Sequence, residues 1–359
     1  MRTTTAWLVA FGLILSACSA STADPIDTTT STSEPTTTST TTTSTTIPPT
    51  TTTTAETFST SLVNGLPVED DELLQRRLMV VKIDNHPRAN PQSGIEEADM
   101  VVELRVEGIT RFLTFWHESD SEYLGPNRSG RPTDAAILAG FEEPTFVISG
   151  AQAWVQSLIR SKGVNLIKEL SQGTFRIPER NAPHNLYVDT NILRDVADDR
   201  GYSDAPPLGP FWEFGPLSDF AETASSVTID LDSSDVVWDW DPLTKMWLRT
   251  AYGRDGTYLD SDGKEQRVSV PILIVLFTES YTAHPPAGVS GSSLPSSRVT
   301  GSGKAFVFAD GLVIEGTWER ESEEVWFSLL DANGEVMLVP PGKSWMSLVP
   351  THLGLTIEE

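Results

Sequence analysis

A single cysteine, Cys18, serves the whole 359-residue chain. Internal disulfides and paired-cysteine zinc sites are therefore excluded, and the fold has to rest on its core. Basic residues are scarce beside acidic ones, with 25 Lys and Arg against 50 Asp and Glu and a formal net charge of -25. Such a surface repels nucleic acid, and no segment of the sequence concentrates the cations, so nucleic-acid binding is not expected. Long apolar runs are missing as well. The segment 6–16 falls far short of the roughly 20 residues that span a bilayer, and 270–277 is strand-sized and interrupted by Pro271. His-Glu-x-x-His, Gly-x-Ser-x-Gly, phosphate-loop and dinucleotide fingerprints are all absent, so neither a metal nor a cofactor is expected.

What stands at the start is an address. Arg2, the apolar run 6–16 and then Leu15-Ser16-Ala17-Cys18 make a secretory leader that closes on a tetrapeptide resembling the lipobox of bacterial lipoproteins. This pattern predicts a signal peptide over 1–17 and a mature chain that begins at a lipidated Cys18, held at the extracytoplasmic face of the cell membrane. At about 0.8 kcal/mol per buried methylene, one acyl chain binds marginally and two or three hold firmly. Committing the thiol to lipid also removes thiol catalysis. Residues 18–62 are dominated by Thr and Ser with scattered Pro and cannot offset the entropy of ordering. They read as a disordered tether whose roughly 40 residues separate its ends by about 35 Å on average.

Composition shifts again at 209–216, where Gly209-Pro210 and Gly215-Pro216 punctuate the chain. The expected fold class is α+β, with a mixed α/β layered domain over 63–212 and a mostly β sandwich or barrel-like domain over 213–359. In the first part, 78–83, 101–106, 109–116 and 145–148 read as strands, whereas 132–141, 154–161 and 192–199 have helical spacing. In the second, short β-branched and aromatic runs such as 226–230, 235–240, 246–252, 268–277, 305–308, 324–329 and 335–338 alternate with turn dipeptides, among them Asp310-Gly311 and Asn333-Gly334. Tryptophans 238, 240, 247, 318, 326 and 345 are read as core or cross-strand partners in preference to sugar platforms.

The unusual chemistry gathers in the first part. Asp84, Asn85 and His86 follow an apolar strand at its carboxyl end, where ligands tend to bind in open sheets. Asp84 can orient His86, and an imidazole near neutral pKa can move protons; an Asx turn before Pro87 would explain the same residues structurally. Glu107 and Arg111 share a face if their strand is unbroken. Arg128 and Arg131 precede the helix opened by Pro132 and offer guanidiniums to an anion there. Arg180, His184 and Asn185 lie in a turn around Pro183. Beside His86, His184 suggests an acid/base pair, with Glu107 as a further proton-transfer candidate.

The motifs Asp84-Asn85-His86-Pro87, Pro91-Gln92-Ser93-Gly94, Glu107 to Phe112, Gly125 to Pro132 and Ala182 to Tyr187 occur in an order that resembles the YerB-like family of bacterial lipoproteins. The likeness continues through Gly311 to Trp318 and Pro341 to Trp345. It implies an envelope location and a two-part architecture but supplies no reaction, since the family is a domain of unknown function. Two expectations follow. One is a lipid-anchored module that binds an anionic cell-wall polymer, or meets an envelope protein, with Asp84, Asn85, Arg111, Arg128, Arg131, Arg180 and Asn185 as ligand-binding residues. The other is a metal-independent hydrolase or transferase on wall glycan or peptide that uses His86, His184 and Glu107.

Overall fold

The computed structural model describes residues 59–232 and 234–359. Cys18, the leader and nearly all of the tether lie outside the described residues. The fold is mostly β, with several sheets. Its strands are β1 (Met79–Asp84), β2 (Met100–Arg105), β3 (Thr110–Trp116), β4 (Thr145–Ile148), β5 (Asn165–Lys168), β6 (Ser226–Asp230), β7 (Asp235–Asp241), β8 (Met246–Ala251), β9 (Thr257–Leu259), β10 (Glu265–Arg267), β11 (Ile272–Ala283), β12 (Gly301–Ala309), β13 (Leu312–Arg320), β14 (Ser344–Pro350) and β15 (Leu355–Glu358). Shorter pieces flank them. Three helices accompany the first five strands: α1 (Pro132–Leu138), α2 (Ala153–Ser161) and α3 (Thr190–Asp199). The helices run to only 7, 9 and 10 residues, so the α/β layering expected for 63–212 is thin beside the strands.

One mixed sheet of twelve strands runs through both parts of the chain; along its main path the edge strand Glu222–Thr223 is followed by β13-β12-β11-β14-β2-β3-β1-β4-β5. β14 sits in parallel register between β11 and β2, with Trp345 opposite Leu273 on one side and Val101 on the other. The parts on either side of 212/213 thus both contribute strands to this sheet. A second sheet, built on β8-β7-β6-β15, lies on one face of the first. Strands of the C-terminal part thus do form two facing sheets, as in a sandwich, but one of the two continues into the N-terminal part.

Period-two alternation divides the core. On β1, Val80 joins the cluster beneath α1 and α2, with Leu113, Phe115, Leu138, Val155 and Ile159. Met79, Val81 and Ile83 point the other way, into the cluster shared with Trp238, Trp247 and Trp345. Both faces of β1 are buried, which is why the run reads as continuously apolar instead of alternating. Burial of Trp238, Trp247, Trp318 and Trp345 is in keeping with a core role; Trp240 and Trp326 are partly buried and pack against the same clusters. Asp310 and Gly311, both at positive φ, close the β12–β13 hairpin, as that dipeptide predicts. Two other expectations shift: 324–329 holds only the start of a three-residue strand at Ser328–Leu330, and 335–338 contributes a lone bridge between Leu330 and Val336.

Candidate functional site

The site begins where β1 ends. Lys82 and Asp84 share the face of Val80, and Asp84 stands opposite Arg111 of β3. The Asp84 carboxylate is fully buried and divided between two tasks. Its Oδ1 accepts the His86 backbone N–H at 3.0 Å, the Asx turn expected before Pro87. Its Oδ2 lies 2.7 Å from His184 Nδ1 and 3.2 Å from Arg128 Nε. The imidazole that Asp84 contacts is thus that of His184, and of His86 it meets only the backbone N–H of the Asx turn.

His86 and His184 stack, with ring centroids 4.7 Å apart and planes inclined by 24°. The backbone N–H of Arg88 donates to His86 Nδ1 at 3.1 Å, so a neutral His86 ring carries its proton on Nε2. Burial and the neighbouring charge of His184, with lesser contributions from Arg88 and Arg128, hold the His86 pKa below its ordinary 6.5 against the opposing pull of Asp84. Among the described residues no group of three His, Cys, Asp or Glu side chains is placed to hold a metal ion.

A chain of ion pairs adjoins this cluster. The β2–β3 connection turns at Gly108, whose φ of +70° suits glycine, and this puts Glu107 in the turn. Arg131 grips Glu107 with two hydrogen bonds of 2.7 and 2.9 Å. Arg111 Nη2 lies 3.9 Å from the same carboxylate, while its Nη1 donates to the Ser129 carbonyl at 2.9 Å. Burial works against ionisation of Glu107, but Arg131 more than compensates and its pKa falls below the ordinary 4.5. Glu107 is thus an ionised partner of a guanidinium, a poor state from which to donate a proton near neutrality.

The anion seat expected at the start of α1 is already filled. Asp134 accepts the Arg131 backbone N–H at 2.7 Å and binds Lys82 Nζ at 2.7 Å, both side chains being fully buried. Three other expected residues turn away from the cluster. Arg180 clasps the carbonyls of Ala89 and Pro91 and so holds the loop after His86. Asn185 donates to the Ile177 carbonyl at 3.2 Å. Asn85 points through the opposite face of the sheet to Thr110 Oγ1 at 2.7 Å.

Lys82, Asp134 and Ser129 are the residues that motif reading missed. Lys82 did leave a signal: a lysine inside the apolar run Met79-Val80-Val81-Lys82-Ile83 demands a buried counter-ion.

Residues 63–203 match the family model described as the N-terminal domain of a protein of unknown function, DUF3048. Residues 227–346 match the corresponding C-terminal domain. A protein of Bacillus subtilis (strain 168) described as "Putative lipoprotein YerB" is 26% identical over 296 residues, covering 80% of this chain and 85% of that one. The crystal structure of the YerB protein from Bacillus subtilis superposes with a TM-score of 0.71 at 23% identity, over 84% of this chain and 100% of the other, and shares the fold.

Proposed function

The chain belongs to the DUF3048 family, and from that premise we propose that it is a lipid-anchored protein of the cell envelope whose Asp84–His184–Arg128 cluster binds an anionic envelope component. The lipoprotein description of the Bacillus subtilis relative and the Leu15-Ser16-Ala17-Cys18 tetrapeptide support the anchor at Cys18. Among the described residues no helix is long and apolar enough to cross a membrane.

The observation that carries the binding reading is the state of Arg128. Its Nε lies 3.2 Å from Asp84 Oδ2 as an ion pair but has no hydrogen-bond partner among the described residues, and its side chain is 22% exposed. A guanidinium that is paired by charge but not by hydrogen bonds, and is partly exposed, suits a phosphate or carboxylate. Arg111, Arg128 and Arg131 outnumber Asp84 and Glu107, so the cluster is a positive island on a chain of net charge -25. Calorimetric titration with glycerol-phosphate oligomers and with a muramyl peptide tests it. Arg128→Ala is expected to weaken the bound species at least tenfold, and an unchanged affinity would sink the reading.

A second reading, a metal-independent hydrolase or transferase on wall glycan or peptide, draws on one specific feature. Asp84 orients His184 through Nδ1 and leaves Nε2 for acid/base work. Turnover of purified wall material that His184→Ala leaves unchanged would remove it.

A further inference from the structure

A second buried charge lies behind the cluster, on the opposite face of the sheet. Glu103 of β2 is fully buried and accepts from Thr110 Oγ1 at 2.6 Å, Arg249 Nη2 at 2.9 and 3.1 Å, and Trp345 Nε1 at 3.0 Å. The Arg249 guanidinium is wedged among Trp345, Phe112 and Trp238, 5.2, 5.6 and 5.9 Å from their ring centroids. Its Nε is buried without a hydrogen-bond partner among the described residues. Leaving such a donor unmade is unfavourable, and the packed rings prevent it from swinging out to solvent.

Arg249 also lines a cavity of about 350 Å³, together with Gln92, Phe112, Tyr252, Arg254 and Trp345. The cavity is roofed by the β9–β10 hairpin, which is tied down where Tyr258 and Leu259 pair in parallel with Gln92 and Ser93. We propose that this cavity is a ligand site in its own right, for a small uncharged molecule that presents an amide or hydroxyl oxygen to Arg249 and an apolar face to Phe112 and Trp345.

Three observations select that chemistry. Arg249 donates to Glu103 through Nη2 alone among the described residues, which leaves Nη1 for an acceptor in the cavity it lines. It does not need a counter-ion, because Glu103 already neutralises it; a second anion there would face Glu103 in a low dielectric. At the rim Asp255 is likewise paired, to Arg267. The volume lies near the lower end of small-molecule sites, roughly 300–1,000 Å³, which suits a monosaccharide or a capped amino acid.

Saturation-transfer NMR and calorimetry on the full chain, with N-acetylglucosamine, N-acetylalanine methylamide and benzoate as probes, test the assignment. Saturable binding of either neutral probe is expected, with none of benzoate. Ala251→Leu, which fills the cavity without touching the Glu103–Arg249 pair, is expected to weaken it more than tenfold. Thr257→Trp at the rim replaces that variant should it fail to fold. Arg249→Lys keeps the charge, loses the fork, and is expected to cost about tenfold. His86→Ala should leave binding intact, which separates this site from the histidine cluster. Failure of both neutral probes, binding of benzoate, or neutral binding that survives the cavity-filling variant would overturn the proposal.

Discussion

His184 Nδ1 stands 2.7 Å from Asp84 Oδ2 across 100 positions of sequence, and the same imidazole stacks on His86. The two rings are therefore coupled electrically. Burial is the largest cause of the depressed His86 pKa, and the charge of His184 is next. A histidine depressed in the folded state binds fewer protons than the unfolded chain, so this group makes stability fall as pH drops below 6.5 and leaves it unaffected well above. His184→Asn is expected to move the His86 midpoint upward toward 6.5, read by NMR titration of the imidazole. An unmoved midpoint would show that the stacking carries no charge coupling.

Lys82 gives a second pH signature, in the alkaline range. Burial lowers its pKa to about 8, against the raising influence of Asp134. Between about 8 and 10.5 the unfolded chain keeps a proton that the folded chain has released, so this one group makes stability rise with pH across that window. Lys82→Met is expected to remove the rise, measured as urea-unfolding free energies at several pH values. Parallel curves for the two proteins across the window would contradict it. Asp134→Ala, which strands the buried ammonium, should cost about 3–5 kcal/mol.

Much of this was legible before the fold was known, and the exceptions have physical reasons. The strands β1, β3 and β4 and the helices α1 to α3 follow from short-range periodicity, which needs no tertiary information. Asp84 and His86 stand out at a strand end, Arg128 before a helix start and His184 in a turn, and the structure brings those four together. Glu107 and Arg131 were also singled out, but sequence could not show that they bind one another. Arg180 and Asn185 sit in the expected turn with their side chains on backbone carbonyls, because orientation within a turn is set by neighbours distant in sequence. Asn85 fell on the far face through the simple parity of strand β1. The shared sheet was the least legible feature: β14 enters between β11 and β2 through parallel pairing, and long-range register leaves little trace in local pattern.

The anchor can be tested without reference to the folded part. Cys18 is expected to incorporate labelled fatty acid and to place the chain in the membrane fraction, whereas Cys18→Ser should release it in soluble form outside the cytoplasm. In the mature chain about 0.8 kcal/mol per buried methylene comes only from the acyl chains, so the comparison is made on variant protein whose leader has been removed. A Cys18→Ser protein that stays with the membrane would sink the lipid anchor.

Dividing the chain at 212/213 supplies the strictest test of the architecture. The family models separate an N-terminal from a C-terminal domain, yet Glu103 in the first is satisfied by Arg249 and Trp345 from the second. Removing residues 213–359 would expose the β2 edge that β14 covers and leave Glu103 without its guanidinium, a loss of about 3–5 kcal/mol added to an open strand edge. Most single domains have only about 5–15 kcal/mol in total. A 59–212 fragment is therefore expected to lack a cooperative unfolding transition and to aggregate, and co-expression with 213–359 should restore both solubility and cooperativity. Sharp, reversible unfolding of the 59–212 fragment alone would mean that the shared sheet joins two units already stable on their own.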